Sequence, residues 1–442
     1  MPIYRQYLRS GIVVIMLALF LVACDASVPT QQASLPTDVP GLPTQPSTLP
    51  ELPTDSGSSP TQPSTIPEFP TLSAATDVGG QPTQPSTLPE LPTAGVLQPT
   101  STPKLVSPLE QGFGAQKGFW KVFFSAPTGS SNRANYVGGI DTQLADAINL
   151  VQRTLDIAAF EFNDPVITAA VLAANQRGVV VRMVVDDVNG LQSKDTTLNQ
   201  LTAVGIPIVN DSRPALMHNK FMIMDSTTVW TGSYNYTIND TYRNNNNMLS
   251  FRSQKIVQDF QNEFDKMFVT HKFGGSKPSN TPFSNFNQDG TPVQVYFAPE
   301  DKVVAALAVA LSGATKSIRF MAFSFTLDDI GGVLQQKAQQ GIPITGIFET
   351  TGSETKYSEL TPLFCSGLAV KQDGNPYVLH HKVFIIDDQT VVVGSFNFST
   401  SARDENDENM LIISDPDLAL QYIDEFNRRW AEAKQPTKLK CS

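Results

Sequence analysis

Two stretches of this 442-residue chain carry the same pattern, LMHNKFMIMDSTTVWTGSYN at 216–235 and LHHKVFIIDDQTVVVGSFN at 379–397. Shifted by 162 residues, five His, Lys, Asp, Ser and Asn residues of the first stretch meet identical residues of the second. The chain has only four histidines, so this repetition indicates that two of them are used functionally. The matched pairs are His218 and His380, Lys220 and Lys382, Asp225 and Asp387, Ser233 and Ser395, and Asn235 and Asn397.

The repetition extends beyond these stretches and predicts the fold class. Residues 158–187 match residues 321–350 at a shift of 163. Each copy alternates between strand and helix periodicity, which predicts an α/β fold of two homologous lobes, each a mixed sheet flanked by helices. We expect helices near 140–155, 164–177 and 415–433, strands at 156–162 and 179–185, and a hairpin over each repeated stretch.

The N-terminal region has a different composition. Residues 1–23 combine Arg5 and Arg9 with a short apolar run, which is typical of a signal peptide. The following LVAC at 21–24 resembles a bacterial lipobox, so we expect Cys24 to carry a lipid that anchors the chain to a membrane outside the cytoplasm, at the cell surface or in the periplasm. The alternative is an uncleaved anchor with an incidental cysteine.

Domain boundaries follow from changes in composition. Residues 24–107 repeat a twelve-residue segment rich in Pro, Thr and Ser, which predicts a disordered tether. We place the first lobe at 108–270, a connector at 271–292, the second lobe at 293–434 and a tail at 435–442. Apart from Cys24 the cysteines are Cys365 and Cys441, which either pair in an oxidising compartment or remain free thiols.

The net charge of the chain limits the classes of partner that it can bind. The whole chain carries −11, and residues 105–442 carry −7 of it. An acidic globular part argues against broad, non-specific binding to nucleic acid, although it leaves room for a small basic cleft.

The repeated residues suit chemistry at phosphorus. Residues i and i+2 of a strand share a face, so His218 projects with Lys220 and His380 with Lys382. Lysine and amide groups bind phosphate oxygens, and histidine can attack phosphorus or move a proton. Two copies supply both a nucleophile and a proton donor. Zinc is the alternative, but an ammonium beside each imidazole repels a dication.

The doubled spacing HxKxxxxD followed by GSxN resembles the phospholipase D superfamily, over about residues 119–434. The resemblance implies a pseudo-twofold arrangement with the site between the lobes, a phosphohistidine intermediate, and neither metal nor cofactor. It implies that the histidines, lysines and asparagines of the motifs, supported by Ser233 and Ser395, line the phosphate site. It also puts Asp225 and Asp387 in the catalytic set, although their place on the opposite strand face favours a turn role.

One departure between the copies predicts the roles of the histidines. The superfamily commonly has an acidic residue at the position of Glu408, and the first copy has Asn246 there. We expect Glu408 to bind His380 and raise its pKa, which makes His380 the general acid and His218 the nucleophile. We also expect His380→Ala to abolish turnover and His381→Asn to be nearly silent.

The substrate is less determined than the chemistry. The first hypothesis is hydrolysis of a phospholipid to phosphatidate and a head group, which the membrane tether and the acidic globular part favour. A metal-independent extracellular nuclease and a decayed surface binding protein are the alternatives. Because both half-sites lie in one chain, we expect a monomer.

Overall fold

A computed structural model describes residues 104–105 and 112–441 of the chain. The predicted signal peptide, the lipidation site Cys24 and nearly all of the predicted tether lie outside these residues. The described residues belong to one compact unit. Among its helices none is both long and apolar enough to cross a membrane.

The first lobe contains a nine-stranded mixed sheet. Its spatial order is β1-β2-β3-β9-β8-β7-β4-β5-β6, and only β4, β5 and β6 run parallel to one another. The strands are β1 (Lys104–Leu105), β2 (Gly112–Lys117), β3 (Trp120–Ser125), β4 (Thr154–Ala159), β5 (Val180–Val185), β6 (Ile208–Asn210), β7 (Phe221–Met224), β8 (Thr228–Gly232) and β9 (Asn247–Phe251).

The second lobe repeats this plan with eight strands. Its spatial order is β10-β11-β17-β16-β15-β12-β13-β14, and β12, β13 and β14 form the parallel part. The strands are β10 (Asn285–Gln288), β11 (Thr291–Ala298), β12 (Ile318–Ala322), β13 (Ile344–Phe348), β14 (Ala369–Gln372), β15 (Lys382–Ile386), β16 (Thr390–Gly394) and β17 (Glu408–Ser414).

Ten helices flank the sheets within the described residues. Several begin where a side chain accepts a hydrogen bond from the first turn, for example Asp164 before α2 and Asp415 before α10. The helices are α1 (Ile140–Asn149), α2 (Pro165–Gln176), α3 (Leu198–Ala203), α4 (Ile238–Tyr242), α5 (Gln254–Phe268), α6 (Val303–Ser312), α7 (Asp328–Gln339), α8 (Leu360–Cys365), α9 (Thr400–Asp404) and α10 (Pro416–Glu432).

The two lobes share a central core. One apolar cluster joins residues of both sheets, such as Phe221 and Leu249 of the first with Val383 and Leu411 of the second, and α5 and α10 pack into it. Each lobe has a further core of its own on the outer side of its sheet. Burial of apolar surface across the shared cluster fixes the lobes against each other, and this places the two repeated stretches side by side.

Most predicted elements agree with the structure, and the segments predicted to be irregular differ. The α/β fold of two lobes with mixed sheets is confirmed, and so are the helices and strands expected in the first copy and the last helix. However, β1 lies inside the predicted tether and pairs with β2, and β10 lies inside the predicted connector and pairs with β11. Cys441, in the predicted tail, forms a disulfide with Cys365.

Candidate active site

The two catalytic candidates lie where the lobes meet. β7 begins directly after Lys220 and β15 begins at Lys382, so both strands run away from the motif histidines. Backbone bridges then cross between the lobes, since His218 N donates to Asp407 O at 3.0 Å and His380 N donates to Asn245 O at 2.9 Å. The two histidines are 5% and 7% exposed, so the site is desolvated but open to a ligand.

Each histidine is held by a residue of the opposite lobe. His218 Nδ1 lies 2.8 Å from both carboxylate oxygens of Glu408, and His380 Nδ1 lies 2.9 Å from Asn246 Oδ1. The prediction that Glu408 binds His380 is therefore wrong. The reason is that β17 begins with Glu408 and β9 begins directly after Asn246, and both strand starts lie at the interface. The residue 28 positions after one histidine therefore reaches the other histidine. The raised pKa expected for His380 is wrong as well, because burial, followed by the charges of Lys382 and Lys220, lowers that pKa well below its usual value.

These contacts direct the second nitrogen of each ring into the cleft. An amide oxygen only accepts hydrogen bonds, so His380 Nδ1 carries the proton and Nε2 faces away from Asn246. The same holds for His218 when it donates to the Glu408 carboxylate. Both Nε2 atoms are thereby available for attack on phosphorus or for proton transfer.

Burial sets the protonation of this pair. Desolvation, followed by the charges of Lys220 and Lys382, lowers the pKa of His218 well below its usual value. Desolvation also raises the pKa of Glu408 to about 8, although both lysines oppose this. Burial is the largest cause of both pKa shifts. Glu408 can therefore stabilise a positive charge that forms on the His218 imidazole only when its own carboxyl group is ionised.

The two lysines form the anion-binding part of the site. Lys220 and Lys382 are each 1% exposed, and each Nζ donates at 2.8 Å to the carbonyl of its own motif histidine. Neither makes an ion pair with a carboxylate in the part of the chain that the structure describes. Burial lowers the pKa of Lys220 to about 8, and burial followed by the charge of Lys220 lowers the pKa of Lys382. An anion between them would relieve this repulsion.

The motif serines support the residues that hold the histidines. Ser395 Oγ donates to Glu408 Oε2 at 2.7 Å, and Ser233 Oγ donates to Asn246 Oδ1 at 2.8 Å. Both serines are fully buried. Because each hydroxyl has one proton and it is already donated, the phosphate-binding role assigned to the serines is corrected to an orienting role.

The motif asparagines fit the predicted contact with substrate. Asn235 Oδ1 and Asn397 Oδ1 are both buried, and neither has a hydrogen-bond partner among residues 112–441. Buried polar groups are normally paired, so these two amides indicate a polar ligand. An amide that turns by 180° presents its NH2 group, which donates to phosphate oxygens.

The motif aspartates lie far from the histidines. Asp225 is about 16 Å along the strand from Lys220 at about 3.3 Å per residue, and it borders a separate cavity of about 790 Å³ that contains neither histidine. Its carboxylate accepts the backbone N–H groups of residues 152–154, and Asp387 does the same for residues 315–317. The catalytic assignment of both aspartates is therefore corrected to the turn role.

His381 also lies away from the cleft, as expected from its strand face. It is fully buried, with Nδ1 3.0 Å from Asn247 Nδ2 and Nε2 3.1 Å from Glu425 Oε1. In the first lobe Asn219 occupies the matching position and accepts from Asn409 at 2.8 Å. His381→Asn would remove a contact with Glu425, so we no longer expect that substitution to be silent for stability.

Sequence reasoning missed a symmetric pair of aromatic rings. The Phe160 ring lies 4.7 Å from the His218 ring and 4.9 Å from Lys220 Nζ, measured to its centroid. Phe323 has the same relation to His380, at 4.9 Å, and to Lys382, at 4.6 Å. The signal was present, because the two phenylalanines match at the shift of 163.

Sequence reasoning also missed two acidic residues that bind the backbone just before each motif histidine. Asp186 accepts the backbone N–H of Met217 at 3.2 Å, and Glu349 accepts that of Leu379 at 2.6 Å. Each therefore fixes the residue before a motif histidine. Asp186 also belongs to an acidic cluster with Asp187 and Asp211 whose ligand atoms lie within 4.8 Å of one another, and this main-chain contact gives the cluster a structural use.

Comparison with known proteins agrees with this geometry. The sequence model of the family described as "Cardiolipin synthase, PLD-like domain" matches residues 144–268 and 307–430, one match in each lobe. The chain belongs to this phospholipase D-like family. Each match contains one complete His-x-Lys motif and its GSxN segment, so both half-sites come from regions shared with the family.

Individual relatives match over parts of the chain. The phospholipase D of Rickettsia bellii is 32% identical over 161 residues, which are 36% of this chain and 80% of the relative. The mitochondrial cardiolipin hydrolase of Xenopus tropicalis is 33% identical over 117 residues, 26% of this chain and 55% of the relative. The chain thus spans about half the length of several relatives.

A solved structure shows the same fold across both lobes. The phosphatidylserine synthase of Haemophilus influenzae is 14% identical, with a TM-score of 0.54, and the match covers 69% of this chain and 88% of the synthase. At this identity the likeness concerns the fold alone. It spans both phospholipase D-like lobes and their mutual arrangement.

Proposed function

We propose that this chain hydrolyses a phosphodiester through a phosphohistidine at His218, with a phospholipid as substrate and phosphatidate as product. The observation that carries the proposal is the pair of imidazoles held through Nδ1 by opposite lobes, with buried lysines beside both. A nucleophile and a separate proton donor at one anion site are what a two-step phosphoryl transfer requires.

In the first step His218 Nε2 attacks phosphorus while the bond from phosphorus to the head-group oxygen breaks. Burial and the charges of Lys382 and Lys220 lower the pKa of free His380 well below its usual value. The bound phosphodiester anion offsets the two lysine charges, so that His380 becomes protonated at both nitrogens and gives its Nε2 proton to that oxygen. The Glu408 carboxylate, hydrogen-bonded to His218 Nδ1, stabilises the positive charge that forms on the ring. The two lysines and the amides of Asn235 and Asn397 hold the non-bridging oxygens.

In the second step water replaces the histidine. Neutral His380 takes a proton from the water, whose oxygen bonds to phosphorus as the bond from His218 to phosphorus breaks. Phosphatidate leaves, and His380 is protonated for the next cycle. Asp240 Oδ2, 3.7 Å from His380 Nδ1, stabilises that protonated form.

The names of the relatives support a lipid substrate, since they act on cardiolipin or are called phospholipases. The acidic net charge of residues 105–442 agrees with it, because a nuclease of broad specificity relies on a basic surface. The test offers the purified chain phospholipid vesicles and single-stranded DNA in separate reactions with a chelator present. We expect lipid hydrolysis that survives chelation, and activity on DNA alone would refute the lipid substrate.

The intermediate needs its own test, for which a phosphodiester with a p-nitrophenol leaving group is suitable because it departs without a proton donor. His380→Ala should release one equivalent of nitrophenolate per chain and then stall with phosphorus on His218. His218→Ala should give no such burst. Phosphorus recovered on His380 would reverse the two roles.

We also propose that Cys24 anchors the mature chain to a membrane outside the cytoplasm, on the basis of the lipobox-like LVAC sequence. The Cys365–Cys441 disulfide supports an oxidising compartment. Membrane fractionation tests this, since Cys24→Ser should move the protein to the soluble fraction. Mass spectrometry of the mature N-terminus should find acyl chains on Cys24.

A further inference from the structure

The first lobe contains a small cavity of about 70 Å³, whose walls come from segments next to the candidate site. Its wall includes Glu161, which directly follows Phe160, the ring that contacts His218 and Lys220. On the other side α4 contributes Asn239 to the wall, and the next residue, Asp240, stands 3.7 Å from His380. Neither motif histidine lines the cavity, but the Glu161 carboxylate is close enough to Lys220 for its charge to raise the pKa of that lysine.

The wall of the cavity is acidic and polar. Its charged residues are Glu161 and Asp195, and no lysine or arginine lines it. Asp195 accepts hydrogen bonds from Asn163 Nδ2 at 2.6 Å and from Ser193 Oγ at 2.8 Å. The half-buried Glu161 carboxylate accepts no hydrogen bond from any residue in the described part of the chain. It is thus an acceptor at the cavity wall that no protein group satisfies.

The surroundings of Glu161 favour a positive ligand. Burial, followed by the charge of Asp240, raises the pKa of Glu161 to about 7, and Asp195 and Asp186 act in the same direction. Among the main contributions, only the charge of Lys220 lowers the pKa of Glu161. A cation in the cavity would stabilise the ionised carboxylate against these negative neighbours.

We propose that this cavity binds the ammonium of a primary-amine head group, as in phosphatidylethanolamine, with Glu161 as its main acceptor. This inference rests on the proposed lipid hydrolysis and names the substrate class. The volume corresponds to roughly two water molecules at about 30 Å³ each, which suits a two-carbon amine. A quaternary ammonium is bulkier, has no N–H to donate and prefers aromatic cages, whereas this wall offers carboxylates, amides and hydroxyls.

The second lobe lacks the corresponding acceptor. Ser324 stands at the position that matches Glu161. The pseudo-twofold site therefore has one acidic end, so the substrate binds in a single orientation. That asymmetry agrees with distinct roles for the two histidines.

The test measures hydrolysis of vesicles of phosphatidylethanolamine, phosphatidylglycerol and phosphatidylcholine by the full mature chain at pH 8. We expect a preference for the ethanolamine lipid of about tenfold or more, the factor that one charge-assisted hydrogen bond contributes. Glu161→Gln should lower the ethanolamine-lipid rate far more than the glycerol-lipid rate. Glu405→Gln, the same change at an exposed residue of the other lobe, should leave the ratio as in the wild type.

The pH dependence of the preference adds a readout that a structural role would not move. Because Glu161 loses its charge as pH falls through about 7, the wild-type ratio should decrease toward pH 6, and the ratio for Glu161→Gln should stay flat. Lipid hydrolysis without an amine preference, or an equal loss on all three lipids in Glu161→Gln, would overturn the inference and leave the proposed function standing. No hydrolysis of any lipid would refute both.

Discussion

At the scale of single residues, each motif histidine is held by a side chain of the opposite lobe, and the proposed chemistry depends on these contacts. Sequence spacing identified the histidines, lysines and asparagines of the site, because those residues are repeated in register. It could not identify the partner of each histidine, since Glu408 is 28 residues from His380 in sequence yet binds His218. Only the backbone bridges between the lobes, which join Met217 to Asp407 and Asn245 to Leu379, show this.

Glu408→Gln tests the exchanged contact. The amide keeps a hydrogen bond to His218 Nδ1 but loses the charge that stabilises the imidazolium. We expect kcat to fall by roughly 10²–10⁴-fold, the range for loss of a positioned carboxylate or acid–base group, with a small change in KM. The nitrophenolate burst of Glu408→Gln should be slower than that of the wild type. Glu405→Gln, three residues away and exposed, is the matched control, and an equal loss in both variants would contradict the role of Glu408.

The buried lysines predict how activity depends on pH. Lys220 has a lowered pKa of about 8, so its ammonium is present below that pH and is lost above it. The affinity for an anionic phosphodiester should therefore decrease, and KM should rise, as pH increases through about 8. Bound phosphate raises the lysine pKa, so kcat should decline at a higher pH than kcat/KM. Steady-state kinetics from pH 6 to 10 measures this, and a constant KM over that range would exclude the lysine effect.

At the scale of elements, apolar periodicity predicted the helices and strands that occur in both copies. It missed the short strands in the segments expected to be irregular. The helices and strands of each copy follow apolar periodicity and matched the structure closely. The strands β1 and β10 were missed because they are short edge strands of two and four residues in polar surroundings. Their formation depends on a neighbouring strand, which a local pattern does not show.

The connector between the lobes also contributes more than its composition suggests. Lys277 is buried there, with Nζ 2.7 Å from Asp407 Oδ1 and 3.1 Å from Glu300 Oε2. Asp407 precedes Glu408, and its carbonyl accepts the His218 N–H. A segment predicted from Pro, Gly, Ser and Asn to be a linker thus fixes the chain beside the catalytic pair.

The turn role of the motif aspartates predicts a loss of stability without a loss of chemistry. Asp225 has φ near +51° and binds three successive backbone N–H groups ahead of β4. Burial, the largest single effect, raises the pKa of Asp225, but the three backbone donors together outweigh it and lower that pKa. The contribution of Asp225 to stability is therefore fully present above its unfolded pKa and is lost as pH falls from there through its folded pKa.

Asp225→Ala should therefore lower the free energy of unfolding by about 1–3 kcal/mol, as expected for unpaired backbone donors. Thermal unfolding at pH 7 measures this, and kcat below the transition temperature should match the wild type. Ser226→Ala at the adjacent turn position, where the side chain makes none of these contacts, is the control. A large fall in kcat for the folded Asp225→Ala protein would restore the catalytic assignment.

At the scale of the whole molecule, the duplicated sequence explains why one chain suffices. The repeat predicted two lobes, which are confirmed, and the candidate residues of both copies lie where those lobes meet. What the repeat could not show is that each half-site is incomplete alone. Glu408 serves the first histidine and Asn246 serves the second, while the shared apolar core holds the lobes in contact.

This arrangement predicts that two inactive variants do not complement each other. The His218→Ala and His380→Ala variants each lack one of the two histidines of the site. If every site forms within one chain, a mixture of the two purified variants contains no site that has both histidines. We expect the mixture to be as inactive as either variant, before and after joint unfolding and refolding under conditions in which wild type recovers. If lobes exchanged between chains, refolded mixtures would regain up to about one quarter of wild-type activity by random pairing, and sedimentation would show a dimer. Recovery of that activity would refute the single-chain site, because the first lobe of one copy would then be pairing with the second lobe of another.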